Sequence, residues 1–258
     1  MRQHAARRLG LAALFALLAG SAQAACSMTV AWESYGKYSS RAADGALVGI
    51  DIDLMREVGK RIGCAIAFRE MPFKRVLIEM ENGTVDASTS VKPTPDRLAY
   101  AHFSAPYYHQ PMTLFVKKGS AGRYTLKSLA DAEAAKFRIG VIGGYYYGDE
   151  FEGLRAKPSF AALVEEATDY ATNIRKLVDN RVQGIMGDSE PVVLEEARKA
   201  GFDGQIELYP IALPNPGLHL MFARKTVPAD RVAAIDAALA TMKADGTLAA
   251  IMARYGDS

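Results

Sequence analysis

The chain of 258 residues carries 31 Lys and Arg against 29 Asp and Glu, which gives a formal net charge of +2. So small an excess gives no support for binding to nucleic acid or to an anionic membrane surface. Beyond an apolar run near the N-terminus, no segment approaches the length of a transmembrane helix. We therefore expect a soluble protein of one large or two small domains.

The N-terminal segment 1–24 has the pattern of a secretory signal peptide. Arginines precede the apolar run Leu9–Leu18, which is too short to span a bilayer, and residues 22–24 form a small-x-small cleavage site. We predict cleavage after Ala24 or the next residue, and export to the periplasm. An amphipathic N-terminal anchor and lipidation of Cys26 are the alternatives. Cleavage would leave 28 basic and 29 acidic residues, so the basic excess belongs to this segment.

Apolar periodicity in the next part of the chain alternates between strand and helix. Ile52, Met55 and Val58, for example, recur at helical spacing. In the order strand, helix, strand, helix, strand, the predicted elements are Met28–Trp32, Asp51–Ile62, Ala65–Arg69, Phe73–Asn82 and Val85–Ser90. This order predicts a parallel sheet with right-handed crossovers.

Two cysteines stand directly before the first two predicted strands. Cys26 precedes Met28–Trp32, and Cys64 precedes Ala65–Arg69. If these strands are parallel neighbours, their starts are adjacent and a disulfide is feasible in an exported chain. Two buried free thiols are the alternative, whereas a metal site needs more ligands than two isolated cysteines.

The segment Asp86–Tyr107 carries the strongest chemical signal. Small hydroxyl residues end the third strand, and a proline-punctuated turn then leads to Arg97 and an aromatic-rich run. A guanidinium beside hydroxyl and backbone N–H donors is a good receptor for a carboxylate. The segment therefore indicates a site for a small anionic or zwitterionic molecule. The alternative is that Arg97 lies on a helix surface and pairs with Asp96.

The alternation of strand and helix restarts in the second half. The predicted strands are Met112–Lys117, Arg138–Ile142, Gln183–Gly187 and Leu218–Ala223, with a strand-like turn region at Ala161–Glu166. The predicted helices are Leu126–Ala132, Gly148–Arg155, Thr172–Asn180, Pro191–Ala200, Arg231–Lys243 and Thr247–Tyr255.

Two successive α/β units follow from this order, each with a mixed, mostly parallel sheet flanked by helices. We assign residues 25–112 and 219–258 to lobe 1 and residues 113–218 to lobe 2. The outgoing and returning strands would form a two-strand hinge, and a ligand is expected in the cleft that faces the carboxyl ends of the strands.

Ordered motifs along the chain carry a resemblance to a known family. They are G-I-D-I-D-L at 49–54, T-P-D-R at 94–97, F-S-A-P-Y at 103–107, G-D-S at 187–189 and K-A-D-G-T at 243–247. They resemble the G-F-D-x-D-L, T-P-E-R, F-S-x-P-Y, g-D-s and x-x-D-G-T motifs of bacterial extracellular solute-binding proteins of the polar-amino-acid type. One motif matches poorly, because residues 180–184 keep only the arginine of G-R-x-D-A. The resemblance implies a two-lobed periplasmic-binding-protein fold of type II that delivers a solute to the permease of an ABC importer.

The resemblance also implies the charged half of the site. Arg97 would bind the α-carboxylate of the ligand, and Asp188 on the other lobe would bind its α-ammonium. Thr89 and Ser90 resemble the family's backbone and hydroxyl contacts. The alternatives are a helix N-cap for Asp188 and ordinary strand-end capping for the two hydroxyl residues.

Aromatic side chains are expected around the rest of the ligand. Tyr35 and Phe73 resemble the positions that sandwich the ligand side chain, and Trp32 and Glu33 flank the same strand end. Core packing is the alternative for the aromatic residues. An acid at Glu33 would favour a basic or amide ligand.

Two departures from the family pattern concern the ligand. Lys92 stands five residues before Arg97, where the family usually has Ser or Thr. Its side chain would either add a second contact to an anion or point to solvent. Tyr145 and Tyr146 follow Gly144, where the family commonly has G-T-T. These tyrosines favour a ligand that is larger, aromatic or not an α-amino acid.

No catalytic signature accompanies these residues. The sequence contains neither G-x-S-x-G nor H-E-x-x-H, and neither cysteine has the context of a nucleophile. We therefore expect a monomeric binding protein that is not an enzyme and uses no cofactor or metal. The alternatives are a dehydratase-like enzyme with Glu190 or Glu33 as its acid, and a ligand sensor that feeds a membrane receptor.

Overall fold

The computed structural model of the protein describes residues 26–214 and 216–256, so the predicted signal peptide 1–24 lies outside the described residues. Within those ranges, no helix is both long and apolar enough to cross a membrane. The described chain forms two α/β units, each with a mixed sheet, as the sequence predicted.

The first unit begins with the predicted alternation of strand and helix. Its elements up to His109 are β1 Cys26–Trp32, β2 Ser40–Arg41, β3 Leu47–Val48, α1 Ile50–Ile62, β4 Cys64–Glu70, α2 Phe73–Asn82, β5 Ala87–Val91, α3 Pro95–Tyr100, β6 Ala101–Phe103 and β7 Tyr108–His109. The apolar side chains at helical spacing in α1 are buried, and the helix ends at Gly63, whose φ of 67° suits glycine.

The second unit follows without a long linker. Its elements are β8 Thr113–Lys117, a 3₁₀ turn Ala121–Arg123, α4 Asp131–Ala135, β9 Ile139–Ile142, α5 Asp149–Arg155, α6 Pro158–Ala161, β10 Val164–Ala167, α7 Tyr170–Val178, β11 Gly184–Gly187, α8 Glu190–Lys199 and β12 Ile206–Leu208. The chain then returns through β13 Gly217–Ala223 and ends with α9 Ala229–Ala244 and α10 Thr247–Arg254.

The two sheets share one design. The first has the order β4-β1-β5-β13-β6, with β7 paired to β13, and the second has the order β10-β9-β11-β8-β12. In each, three neighbouring strands run parallel. The antiparallel pairings involve β13 in the first sheet and β8 in the second, the strands next to the two chain crossings. The carboxyl ends of the parallel strands therefore mark where a ligand would bind.

The two chain crossings between the sheets lie side by side. The Gln110 N–H donates to the Pro216 carbonyl at 3.3 Å, and the Met112 N–H donates to the Pro214 carbonyl at 2.9 Å. The lobe boundaries inferred from the sequence, at 112/113 and 218/219, lie next to these hydrogen-bonded segments. The division into lobes at these positions remains a prediction.

One local prediction was wrong. The helix expected at Leu126–Ala132 is displaced to α4, because the Asp131 carboxylate accepts the backbone N–H groups of Lys127 and Ser128 at 2.8 and 2.9 Å and holds them in a turn. The strand-like turn region predicted at Ala161–Glu166 is confirmed, because a turn after α6 leads directly into β10.

The helix α3 was missed by the sequence analysis, which treated this stretch as a turn. The Thr94 hydroxyl caps the helix by accepting the Arg97 N–H at 3.4 Å, and Pro95 occupies its first position. Thr followed by Pro is a helix-start signal, so the sequence did contain the information.

The predicted disulfide is present. Cys26 and Cys64 are register partners at the start of the parallel strands β1 and β4, with Cα atoms 4.5 Å apart, and they are bonded. The bridge lies at the end of the sheet opposite to the carboxyl ends of the strands, so it fastens the first strand without entering the cleft.

We expect the double substitution Cys26→Ser/Cys64→Ser to lower the free energy of unfolding. The bridge spans a sequence separation of 38 residues, and closing a loop of that length stabilises by about 4 kcal/mol on the chain-entropy model. Urea unfolding with and without reductant measures the effect. Reductant should lower the stability of the wild type and leave that of the variant unchanged, and equal stability of all four samples would refute the expectation.

Candidate functional site

A cavity between the two units gathers all the predicted ligand-binding residues. We call it the cleft cavity, and its volume is about 40 Å³. The predicted residues among its lining are Trp32, Glu33, Tyr35, Phe73, Thr89, Ser90, Lys92, Arg97, Tyr145, Tyr146 and Asp188. The lining residues that the sequence analysis did not select are Ser39, Asp51, Val76, Ser88 and Val91. Of these, Ser88 and Val91 lie within the segment Asp86–Tyr107, and Asp51 lies in the G-I-D-I-D-L motif.

Arg97 is buried at the start of α3, with 6% of its surface exposed. Its Nη1 donates to the Lys92 carbonyl at 2.6 Å, and its Nη2 donates across the cleft to the Gly144 carbonyl at 2.6 Å. The guanidinium also lies 5.4 Å from the centre of the Phe73 ring. Burial lowers the pKa of Arg97 from its usual value. The alternative of a surface arginine paired with Asp96 is therefore wrong.

Gly144 is needed where Arg97 meets the second unit. Its φ is +86°, in the region that favours glycine, and an added Cβ would lie 3.1 Å from Leu77. The glycine lets the backbone carbonyl approach α2 and α3 closely.

Lys92 and Asp188 form a buried ion pair across the cleft. The Lys92 Nζ contacts the Asp188 Oδ1, and the two side chains are 7% and 6% exposed. The same Nζ lies 3.4 Å from the Tyr146 carbonyl. Lys92 therefore does not point to solvent. Asp188 is not the N-cap of α8 either, because Ser189 occupies that position.

Glu33 is the second acid of the cleft cavity. The Tyr145 hydroxyl donates to its Oε1 at 2.6 Å, and the Phe73 N–H donates to its Oε2 at 3.0 Å. Burial raises the pKa of Glu33 to about 7, although both donors lower it. This carboxyl therefore titrates near neutral pH.

Aromatic rings surround Glu33 from both units. The Tyr145 ring meets the Phe73 ring edge-on at 5.2 Å and the Tyr35 ring at 6.5 Å. Trp32 is buried beneath Arg41, whose guanidinium lies 5.3 Å from the ring centre. Tyr146 turns its hydroxyl to Asp149, and burial raises the pKa of this phenol to about 12.

Ser90 is held in a left-handed backbone conformation, with φ of 57°. Its N–H donates to the Tyr107 hydroxyl at 2.9 Å, and its Oγ donates to the Asp51 carboxylate at 2.5 Å. The Tyr107 hydroxyl donates to the same carboxylate at 2.8 Å. Burial raises the pKa of Asp51 to about 6. This network fixes the end of β5, so the Ser90 hydroxyl has a structural partner and Thr89 lies beside it on the cavity wall.

Contacts across the cleft hold the two units together. Besides the pairs already described, Glu196 accepts the Gly36 N–H at 3.0 Å and the Ser34 hydroxyl at 3.1 Å, and Lys74 pairs with Glu166 at 3.0 Å. A cavity of about 40 Å³ holds only a few water molecules. A solute the size of an amino acid needs more room than this, so its binding would have to change some of these contacts.

The two acids named for the enzyme alternative lie in different places. Glu190 is exposed at the start of α8 and lies outside the cleft cavity, while Glu33 is inside it. Among residues 26–214 and 216–256, no group of three or more His, Cys, Asp or Glu side chains is placed to hold a metal ion.

Two mixed α/β units that enclose a charged cavity with aromatic walls define a two-lobed solute-binding protein. The sequence matches the family of bacterial extracellular solute-binding proteins, family 3, over residues 28–258. The chain therefore belongs to this family, as its motifs predicted.

The comparisons with individual proteins agree with this membership. The chain is 25% identical over 244 residues to ABC transporter arginine-binding protein 1 of Escherichia coli (strain K12). The aligned region covers 93% of this chain and 95% of that protein. It is 35% identical over 91 residues to the probable ABC transporter extracellular-binding protein YckB of Bacillus subtilis (strain 168). This aligned region covers 34% of this chain and 32% of that protein.

A solved structure supports the fold. An ancestral arginine-binding protein bound to arginine has a TM-score of 0.74 at 22% identity, covering 89% of this chain and 97% of that one. The predicted two-lobed periplasmic-binding-protein fold of type II is thereby confirmed.

We expect Glu33→Gln to change how stability depends on pH. The Glu33 pKa is about 7 in the folded protein against an ordinary value of 4.5, so the folded state binds more protons between these values. The stability of the wild type should therefore fall as the pH rises from about 4.5 to about 7 through this group. Over that window the free energy of unfolding of Glu33→Gln should rise relative to the wild type, as measured by urea unfolding at a series of pH values.

Tyr145→Phe is the companion variant. The Tyr145 hydroxyl of the wild type donates to the ionised carboxylate and lowers the Glu33 pKa. Its removal should therefore raise this pKa and extend the pH range over which stability falls to higher pH. Stability curves of wild type and Glu33→Gln that run parallel with pH would contradict the assignment.

Proposed function

We propose that this protein captures an amino acid or a similar small polar solute by closure of its two lobes and delivers it to an ABC importer in the periplasm. The observation that carries the proposal is the buried Arg97 guanidinium in the cleft cavity, which donates to the Gly144 carbonyl of the opposite unit at 2.6 Å. A ligand carboxylate is a stronger acceptor than a neutral carbonyl, and it would take over this bond.

The second support is the placement of opposite charges and aromatic walls. Arg97 and Lys92 come from the first unit, and Asp188 comes from the second. Tyr35, Phe73 and Tyr145 supply flat apolar faces between them. A solute that carries a carboxylate and a flat or apolar body matches this arrangement.

Closure needs a hinge, and the hydrogen-bonded crossing segments support the proposal that they form it. We propose that lobe 1 comprises residues 25–112 and 219–258, that lobe 2 comprises residues 113–218, and that the hydrogen bonds between the crossings persist while the lobes separate. Hinge closure of this kind concentrates its backbone rotation in a few residues.

We further propose that the protein acts as a monomer with an ABC permease as its partner and has no catalytic activity. Both curated relatives described above are named as binding proteins of ABC transporters. They favour transport over the dehydratase and sensor alternatives.

We expect Arg97→Ala to abolish most ligand affinity. The ligand is first identified by thermal shift against amino acids and related acids, and its affinity is then measured by calorimetry. Loss of a charge-assisted bond should cost about 1.5–3 kcal/mol, or roughly ten- to a hundredfold in Kd.

The matched control is Arg75→Ala. Arg75 pairs with Glu79 on the same lobe, its side chain is 60% exposed, and it is not part of the cleft cavity lining. This variant removes the same charge and should bind as the wild type does. An unchanged affinity in Arg97→Ala would refute the carboxylate role of Arg97.

A further inference from the structure

The Lys92–Asp188 pair occupies the place where the proposed site would otherwise present a free carboxylate. Lys92 follows β5 in the first unit, and Asp188 follows β11 in the second, so the pair spans the cleft. Both residues line the cleft cavity, and both side chains are more than nine-tenths buried.

We infer that Lys92 is a built-in counter-ion for Asp188, and that the cleft therefore selects a carboxylate without an α-ammonium group over the matching amino acid. The chemical class that fits is a 2-oxo or 2-hydroxy acid. The inference rests on the proposed function, because it takes Arg97 as the anchor of the ligand carboxylate.

Charge compensation is the first reason. A buried carboxylate needs a single positive partner, and Lys92 supplies it from within the chain. An entering ammonium would have to share Asp188 with a second cation or displace Lys92 into a cavity of about 40 Å³. Either event leaves a positive charge uncompensated in a desolvated site.

The other acids of the cleft cavity already accept hydrogen bonds from within the protein. Both oxygens of Glu33 accept hydrogen bonds, from Tyr145 and from the Phe73 N–H. Asp51 accepts from Ser90 and Tyr107. Each acid in the lining thus has its donors within the protein.

The Lys92–Asp188 pair is far more buried than Lys74–Glu166, which also crosses the cleft. Lys74 and Glu166 are 67% and 37% exposed, so water replaces either partner at little cost. Lys92 and Asp188 lack that replacement, because their side chains are only 7% and 6% exposed. Exchange of Lys92 for a ligand ammonium is therefore the more costly event.

The third N–H donor of the Lys92 ammonium indicates which group the ligand carries in place of an α-ammonium. A lysine ammonium has three N–H donors, and Asp188 and the Tyr146 carbonyl account for two of them. The third suits an acceptor oxygen next to the ligand carboxylate. A 2-oxo or 2-hydroxy oxygen is such an acceptor, whereas an ammonium has no lone pair to accept with.

The test uses matched pairs that differ at the α-position. They are phenylpyruvate and L-phenylalanine, 4-methyl-2-oxopentanoate and L-leucine, and 2-oxoglutarate and L-glutamate. By calorimetry on the purified protein, we expect the oxo acid of at least one pair to bind more tightly than its amino acid by about tenfold or more.

Lys92→Ser should reverse that order, because it frees Asp188 for a ligand ammonium. Lys74→Ser is the control, since it removes the same charge from the exposed cross-cleft pair and should leave the order unchanged. If Lys92→Ser does not fold, the double variant Lys92→Ser/Asp188→Asn is used for the same comparison of oxo acid and amino acid. That variant removes both charges and the third Lys92 donor, so its affinities for the oxo acid and for the matching amino acid should come within about tenfold of each other.

Three results would overturn the inference. Equal or tighter binding of the amino acids by the wild type would do so and would leave the proposed function standing. A preference of about tenfold or more for the oxo acid that persists in Lys92→Ser, or in the double variant, would also do so, because the Lys92–Asp188 pair would then not set the order. Absence of binding by both members of every pair would count against the inference and the proposed function together.

Discussion

Burial of charge between the two lobes is the constraint on which the arrangement of the cleft depends. An ionised group removed from water must find its counter-charge or its hydrogen bonds inside the protein. Lys92 pairs with Asp188, and Arg97 donates to two carbonyl oxygens. Glu33 receives a hydroxyl and a backbone N–H. Three of these contacts join the two units: Lys92 to Asp188, Arg97 to the Gly144 carbonyl, and Tyr145 to Glu33. The charged groups therefore have these partners only when the two units are close together.

Under the proposed hinge motion, separation of the lobes would exchange these internal partners for water. Each charged group would then be hydrated in the open state and paired in the closed state, so the net difference would be smaller than any single bond suggests. A solute biases this balance by bonding the groups better than they bond one another. The specificity of the cleft is therefore set by competition with the protein's own contacts, and a tight internal pair such as Lys92–Asp188 is the hardest to displace.

Features that depend on local pattern could be predicted from the sequence. The elements β1, α1, β4, α2 and β5, the disulfide and the selected part of the cavity lining followed from apolar spacing, from adjacent parallel strands and from ordered motifs, whereas the short strands β2 and β3 were missed. The helix α3 was missed although Thr94 and Pro95 signal its start, and α4 was displaced by side-chain bonds of Asp131. The partner of Lys92 could not be predicted, because it lies 96 positions away on the other sheet, and only the folded chain brings the two together.

The position of β13 has a consequence for how the protein assembles. The strand lies between β5 and β6 in the first sheet, yet it comes from residues 217–223, after the whole second unit. The first sheet is therefore completed only by residues from the C-terminal part of the chain, which pair with the edge of β5. Such long-range pairing slows folding and prolongs the exposure of apolar surface.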